Sequence, residues 1–275
     1  MRKIFFPCVL LALVIFTGSS CKKEKGTSTP PSAPPIQFEL LKEINIPNLP
    51  SPYYRFEYNA AGKPNFTSFA SGLFMYDIIY SGSSISEMKN MTMVNKDRLQ
   101  YSYDNTGRVN AIRYADSTGT VYKKICFTYN EQKLIKIERE RKSGADFITE
   151  KTMTFLYHTD GNLSELSDHR HQINGQVGYT SVDRFEQYDN KINVDGFTLI
   201  HNEFFEHLVL LPGVQLQKNN PGKLARTGNG FNYKIDYTYT YNDKNLPLTK
   251  KGEAIITTGP GAGSGFQTNA AFSYY

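Results

Sequence analysis

One short pattern recurs seven times in this chain: an aromatic residue, any residue, Tyr, Asp or Asn, a polar turn that often holds Gly, then an apolar residue. The clearest copies are Tyr101–Val109 (YSYDNTGRV) and Met153–Leu163 (MTFLYHTDGNL). Others run Tyr54–Gly62, Tyr76–Ile85, Ile125–Leu134, Phe185–Ile192 and Tyr237–Leu246. A unit this small cannot bury its own apolar face, so copies must stack side by side. Each copy reads as a strand, a turn and a returning strand. The strand half alternates: Tyr54, Phe56 and Tyr58 against Arg55 and Glu57, then Ile235, Tyr237 and Tyr239 against Asp236, Thr238 and Thr240. Period two means one buried face and one wet face, the mark of antiparallel sheet.

The expected fold is therefore all-β: a large curled antiparallel meander of a dozen or more strands, built from repeated β-hairpins. Asp or Asn after the last Tyr can close an Asx-turn, and a later Gly supplies positive φ. A five-residue loop brings Tyr103 opposite Val109 on one face. The returning half poses a puzzle, because its apolar residues fall three apart: Ile85 and Met88, Val109 and Ile112, Leu134 and Ile137, Leu163 and Leu166. On a regular strand such pairs point to opposite faces, so either a recurring bulge or a second weakly buried face is implied. One segment departs from the pattern. Phe197, Ile200, Phe204, Leu208 and Leu211 recur at spacings of three and four before Pro212-Gly213, which predicts one helix over 197–211 covering the aromatic sheet face.

The amino terminus reads as a processing signal. Arg2 and Lys3 precede the apolar run Val9–Phe16, which is too short for a stable membrane span. Residues 1–20 are thus expected to be a signal peptide. Thr17-Gly18-Ser19-Ser20-Cys21 resembles the bacterial lipobox, with Gly18 where Leu is usual, and the resemblance implies lipidation of Cys21. Residues 21–35 then hold the lipidated Cys and a Pro/Ser/Thr-rich tether, of which the extended Gly26–Pro35 reaches roughly 30 Å. A single β-repeat domain occupies 36–275. The charges of the leader explain the formal +5: Arg2, Lys3, Lys22, Lys23 and Lys25 against Glu24 give +4, leaving +1 for the rest. No basic domain remains to hold a phosphate backbone, so no nucleic-acid partner is expected. Cys126 is the remaining cysteine of the body and reads as a small buried hydrophobe.

Tyr101–Arg113 and Ile125–Ile137 resemble the tyrosine–aspartate repeat of Rhs and teneurin-type proteins, whose copies form a spiralling β-shell. Tyr188–Asn193, Lys218–Pro221 and Tyr239–Asp243 resemble segments of Bacteroidota-type lipoproteins of unknown function, with Val194 where Pro is usual. The resemblance implies a fold and an outer-membrane, lipid-anchored location, facing the cell surface or the periplasm. Lys22-Lys23-Glu24-Lys25 resembles the charged tract that directs such lipoproteins outward. The family brings no catalytic residue.

The remaining candidate sites are thin. In Asp168-His169-Arg170-His171 the two histidines would share a strand face and could ligate a metal, although Arg170 and the turn Asn174-Gly175 suit a solvated hairpin arm. Glu203 and His207 lie four apart on the expected helix but match neither zinc-protease order. Gly259–Gly265 lacks the Gly-Lys-Ser/Thr of a phosphate loop. No catalytic, metal or cofactor-binding residue is assigned. The expected function is a non-catalytic binding or scaffolding module with a glycan or protein ligand. The alternative is a polysaccharide- or peptide-acting hydrolase whose acidic residues converge in the cavity of the curled sheet.

Overall fold

A computed structural model describes residues 39–92, 96–173, 175–201 and 207–275. The signal peptide, Cys21 and the tether lie outside the described residues, as do Glu203 and Phe204. Strands β1 (Leu41–Asn45), β2 (Tyr54–Tyr58), β3 (Pro64–Phe69), β4 (Phe74–Ser81), β5 (Ser84–Asn90), β6 (Arg98–Tyr103), β7 (Val109–Ala115) and β8 (Val121–Asn130) make the first half of one sheet. The second half is β9 (Lys133–Ser143), β10 (Asp146–Tyr157), β11 (Leu163–Arg170), β12 (Tyr179–Glu186), β13 (Lys223–Gly228), β14 (Asn232–Tyr241), β15 (Pro247–Thr258) and β16 (Gly265–Tyr274).

All neighbours are antiparallel, and the sheet closes on itself. In β1, Ile44 sits opposite Tyr54 of β2 on one side and Phe272 of β16 on the other. This corrects the expected open, curled meander: the fold is a closed barrel of sixteen strands. Closure pairs the two edges that an open sheet leaves bare.

The bulge reading resolves the puzzle of apolar pairs three apart. In six hairpins the register shifts just before the repeat tyrosine: Tyr58, Tyr80, Tyr103, Tyr129, Tyr157 and Tyr241. Tyr103 opposes Val109 while Ser102 opposes Ala111, so Asn110 is the extra residue. One inserted residue turns an odd spacing into a shared face, and Val109 and Ile112 are both buried inside. The shift also explains why the repeat needs Tyr rather than Phe. Four of these hydroxyls reach back and donate to the bulge carbonyl of the preceding hairpin. Tyr80 reaches Pro64 (2.8 Å), Tyr103 reaches Ile85 (2.6 Å), Tyr129 reaches Val109 (2.9 Å) and Tyr157 reaches Leu134 (2.7 Å). Bulges break the ladder, and a buried carbonyl left without a donor is costly. The Asp and Asn positions behave as Asx-turns: Asp104 Oδ1 accepts from the Thr106 and Arg108 amides, with Gly107 at φ +80°.

Facing inward, Tyr76, Leu99, Ile112, Met153, Phe155 and Leu166 form a continuous apolar core. Charges face outward along the same strands. Arg184 pairs with Glu165 across β12 and β11 at 2.9 Å, and Lys124 with Glu140 across β8 and β9 at 3.9 Å. Cys126 belongs to this outer face, half-buried beside Lys124 and Thr128 rather than in the core, and burial pushes its thiol pKa up.

Sixteen strands enclose more space than their own side chains can fill. The described part of the connection between β12 and β13, residues 187–201 and 207–222, enters the lumen and packs into its core. Its Ile200, Leu208, Val209 and Leu216 join the core, and Phe197 meets Tyr54 and Phe56 edge-on at 5.4 and 5.5 Å. This corrects the expected covering helix. The described part of 197–211 holds a 3-10 turn over Gly196–Ile200 and then irregular chain, inside the wall rather than over it. A segment surrounded by barrel buries apolar residues on every side, so its spacing does not report an amphipathic helix. Side chains supply the partners that a helix would have provided internally. The His201 ring accepts from the Val209 amide (2.9 Å), and the Tyr101 hydroxyl bridges the Leu210 amide and carbonyl (3.2 and 2.9 Å).

Candidate binding cavity

The lumen is not filled evenly. Five returning strands place bulk at the third and fifth residues after the bulge: Thr67 and Phe69, Met88 and Asn90, Ile112 and Tyr114, Ile137 and Arg139, Leu166 and Asp168, all buried. In β15 the same positions hold Lys250 and Gly252, and Ala270 and Thr268 of β16 face them. Gly252 leaves no room for a larger residue. An added Cβ would sit 2.3 Å from Thr268 Oγ1 and 2.8 Å from Tyr237 Cε1. Beside these small residues a cavity of about 610 Å3 opens among β14, β15, β16, β1 and the lumenal segment. That is the size of an ordinary small-molecule site. Its rim is the β1–β2 loop with Asn48, Leu49 and Tyr53, and its inner wall carries Thr198 and His201.

Lys250 and Asp195 form its charged floor. Lys250 Nζ lies 2.9 Å from Asp195 Oδ2 and 4.8 Å from the centre of the Tyr237 ring, while Asn193 donates to Asp195 Oδ1 at 3.1 Å. Burial alone lowers the pKa of Lys250, but Asp195 and then Tyr237 outweigh it, so the ammonium is held charged. His201 behaves in the opposite way. Burial, with Arg139 and Lys151 nearby, pushes it down to about 3, so the ring is neutral. Its Nε2 faces both the Val209 amide (2.9 Å) and the Val209 carbonyl (3.1 Å). Nδ1 lies toward the His207 backbone without reaching hydrogen-bond geometry, as does Thr268 Oγ1 toward the Tyr237 hydroxyl.

Other lumenal charges are tied to partners on the wall or the inserted segment. Lys151 and Asp168 lie 2.8 Å apart, Arg226 grips Asp183 with two hydrogen bonds (2.6 and 2.5 Å), and His207 Nε2 is 3.0 Å from Asp97. His207 also meets the Tyr76 hydroxyl, so it braces the segment rather than standing on a helix face with Glu203. His169 and His171 do share a face, with rings 4.5 Å apart, but each is bound by a threonine: His169 by Thr180 at 2.7 Å and His171 by Thr152 at 2.9 Å. Among the described residues no group of three potential ligands could hold a metal. The residues behind the lipoprotein resemblance do meet, at the turn end of the barrel. Asp189 accepts from the Asn220 amide (3.1 Å) and the Tyr241 hydroxyl, and Asn162 Oδ1 accepts from the Lys218 and Asn219 amides (2.9 and 3.0 Å). They latch the inserted segment.

The cavity residues were not singled out by sequence. A signal did exist: after Leu246-Pro247 the repeat demands an apolar residue where Lys250 stands.

No protein-family model matches the chain, and no curated protein matches it by sequence. Among solved structures of similar fold are two porin-like proteins. A porin-like protein from Bacteroides uniformis aligns with a TM-score of 0.56 at 13% identity, covering 81% of this chain and 89% of that one. A porin-like protein from Bacteroides vulgatus aligns at 0.56 and 15% identity, over 86% and 98%. The likeness is one of barrel architecture, and the wall here is charged outside and apolar inside. A membrane-spanning barrel is apolar outside and polar inside. This one carries Arg113, Lys124, Arg184 and Lys251 outward and Tyr76, Ile112, Phe155 and Phe185 inward. A Lys or Arg facing lipid costs up to roughly 2–4 kcal/mol at mid-bilayer, and the outward apolar residues Ile79, Leu156 and Ile255 are scattered.

Proposed function

We propose that the protein is an envelope lipoprotein, held by lipid on Cys21, whose barrel stands in water and acts as a binding module through the mouth cavity. The wall polarity carries this reading. A chain with a porin-like barrel and a charged exterior needs another means of membrane attachment, and the leader ending at Cys21 offers one. Two or more acyl chains give stable anchoring, and the tether at 21–35 would hold the body clear of the surface. The hydrolase reading expects two facing carboxylates. Asp195 is the single carboxylate among the cavity-lining residues, and it is already bound by Lys250.

Metabolic labelling with a clickable fatty acid, followed by high-salt washing of membranes, tests the anchor. The native chain should carry label and stay with the membrane, and Cys21→Ser should lose both. A Cys21→Ser protein that remains membrane-embedded would refute the proposal.

A further inference from the structure

We infer that the cavity takes a neutral, polyhydroxylated ligand, the chemistry of a saccharide unit. This rests on the binding-module reading above and adds the class of ligand. The first argument is charge. Lys250 and Asp195 are the charged lining residues, and they neutralise each other at 2.9 Å. His201 is neutral. A cationic or anionic ligand would give up its hydration and find no uncommitted counter-charge, a heavy cost in a partly enclosed site.

The second argument is the unused polar capacity. The Gln267 and Asn269 amides line the cavity, joined to each other at 3.2 Å, and each keeps further donors and acceptors. Thr198 spends its proton on the Asp195 carbonyl at 2.8 Å and keeps its lone pairs. Asn48 at the rim offers an amide with both functions. A ligand that satisfies this mixture must itself both donate and accept at several points, as alcohol hydroxyls do.

The third argument is shape. Half-buried Tyr53 borders the cavity, braced edge-on by Tyr54 at 5.0 Å. A rigid ring with an apolar body and a polar tip suits the C–H face of a sugar ring beside its hydroxyls. Lys250 of β15 and the small Thr268 and Ala270 of β16 wall the space. The departure from the repeat at Lys250 thus supplies its polar floor.

The test uses the mature lipidated protein in liposomes, with saturation-transfer NMR against defined probes: maltose, cellobiose and N-acetyllactosamine as neutral saccharides, galacturonic acid and glucose 6-sulfate as anions, and trilysine as a cation. At least one neutral saccharide should bind saturably and at least tenfold more tightly than any charged probe. Ala270→Phe, which fills the cavity, and Tyr53→Ala, which removes the rim ring, should each weaken that binding at least tenfold, with circular dichroism unchanged. Only variants that keep the native spectrum are scored, and Tyr53→Ala at the rim serves if Ala270→Phe misfolds. No saturable neutral binding, a charged probe binding best, or affinity unchanged in the folded variants would overturn the inference. An anchored, water-exposed barrel that binds no saccharide removes the ligand class alone. A barrel embedded in lipid removes the binding-module reading as well.

Discussion

The hairpin β10–β11 and the hairpin β14–β15 are built from one pattern and do opposite things with it. Both carry the bulge before the repeat tyrosine, at Tyr157 and Tyr241. In the first, Leu163 and Leu166 close the lumen. In the second, Pro247 is followed by Lys250 and Gly252, and the lumen stays open. The repeated device fixes the barrel, and the copy that departs from it holds the site. In a protein of stacked units, the place to look for function is the register position where one unit breaks the rule set by its siblings.

Several substitutions would break or sharpen this contrast. On the filled side Phe155→Ala should cost about 3–5 kcal/mol, whereas Ala270→Leu on the open side should stay within about 1 kcal/mol of the native protein in urea unfolding. Equal costs would mean that the two sides are packed alike. Lys250→Met should cost about 2–3 kcal/mol, because Asp195 loses its partner. The figure falls below the range for fully buried pairs since Lys250 keeps 19% of its side chain exposed. Adding Asp195→Leu should recover most of the loss, and a purely additive double variant would show that the pair is not a unit.

His201 predicts an acid sensitivity. The folded protein keeps its ring neutral down to about 3, while the unfolded chain protonates it near the usual 6.5. Stability from this group is therefore complete above pH 6.5 and is lost as pH falls toward 3, at about 1.4 kcal/mol per unit. His201→Gln should flatten the pH profile of unfolding by that slope between pH 6 and 4. Equal slopes would show that the ring is not held neutral. The smallest effect belongs to the wall: Tyr103→Phe leaves the Ile85 carbonyl without its donor and should lower stability by about 1 kcal/mol. No change in denaturation midpoint would deny the tyrosine ladder its role.

The strands and their inward rows were legible because period two survives in every copy. The bulge was visible as a conflict, Val109 against Ile112, that only a register shift could settle. Closure was not legible, since the strand that joins the edges is the short β1, Leu41–Asn45, which lies before the first repeat and lacks its tyrosines. The lumenal segment misled because Phe197, Ile200 and Leu208 follow helical spacing by being buried from several sides at once. The cavity was hidden for a related reason: Asp195 and Lys250 are 55 positions apart, and neither belongs to a motif. Lys250 alone was discoverable, as a charge standing where five sibling hairpins place Thr, Met, Ile or Leu.

The most direct test of the account is the environment of the outer wall. In the proposed lipoprotein, which loses Cys8 with the leader and carries lipid on Cys21, Cys126 is the remaining thiol, and it faces outward in β8. A polarity-sensitive fluorophore attached there, and a second on Thr154→Cys in a Cys126→Ser background, can be read in the lipid-anchored protein on liposomes. Quenching by aqueous iodide, with no quenching by nitroxides buried in the acyl chains, is the predicted result at both positions. Efficient quenching by the acyl-chain nitroxides would place the wall in hydrocarbon and contradict it.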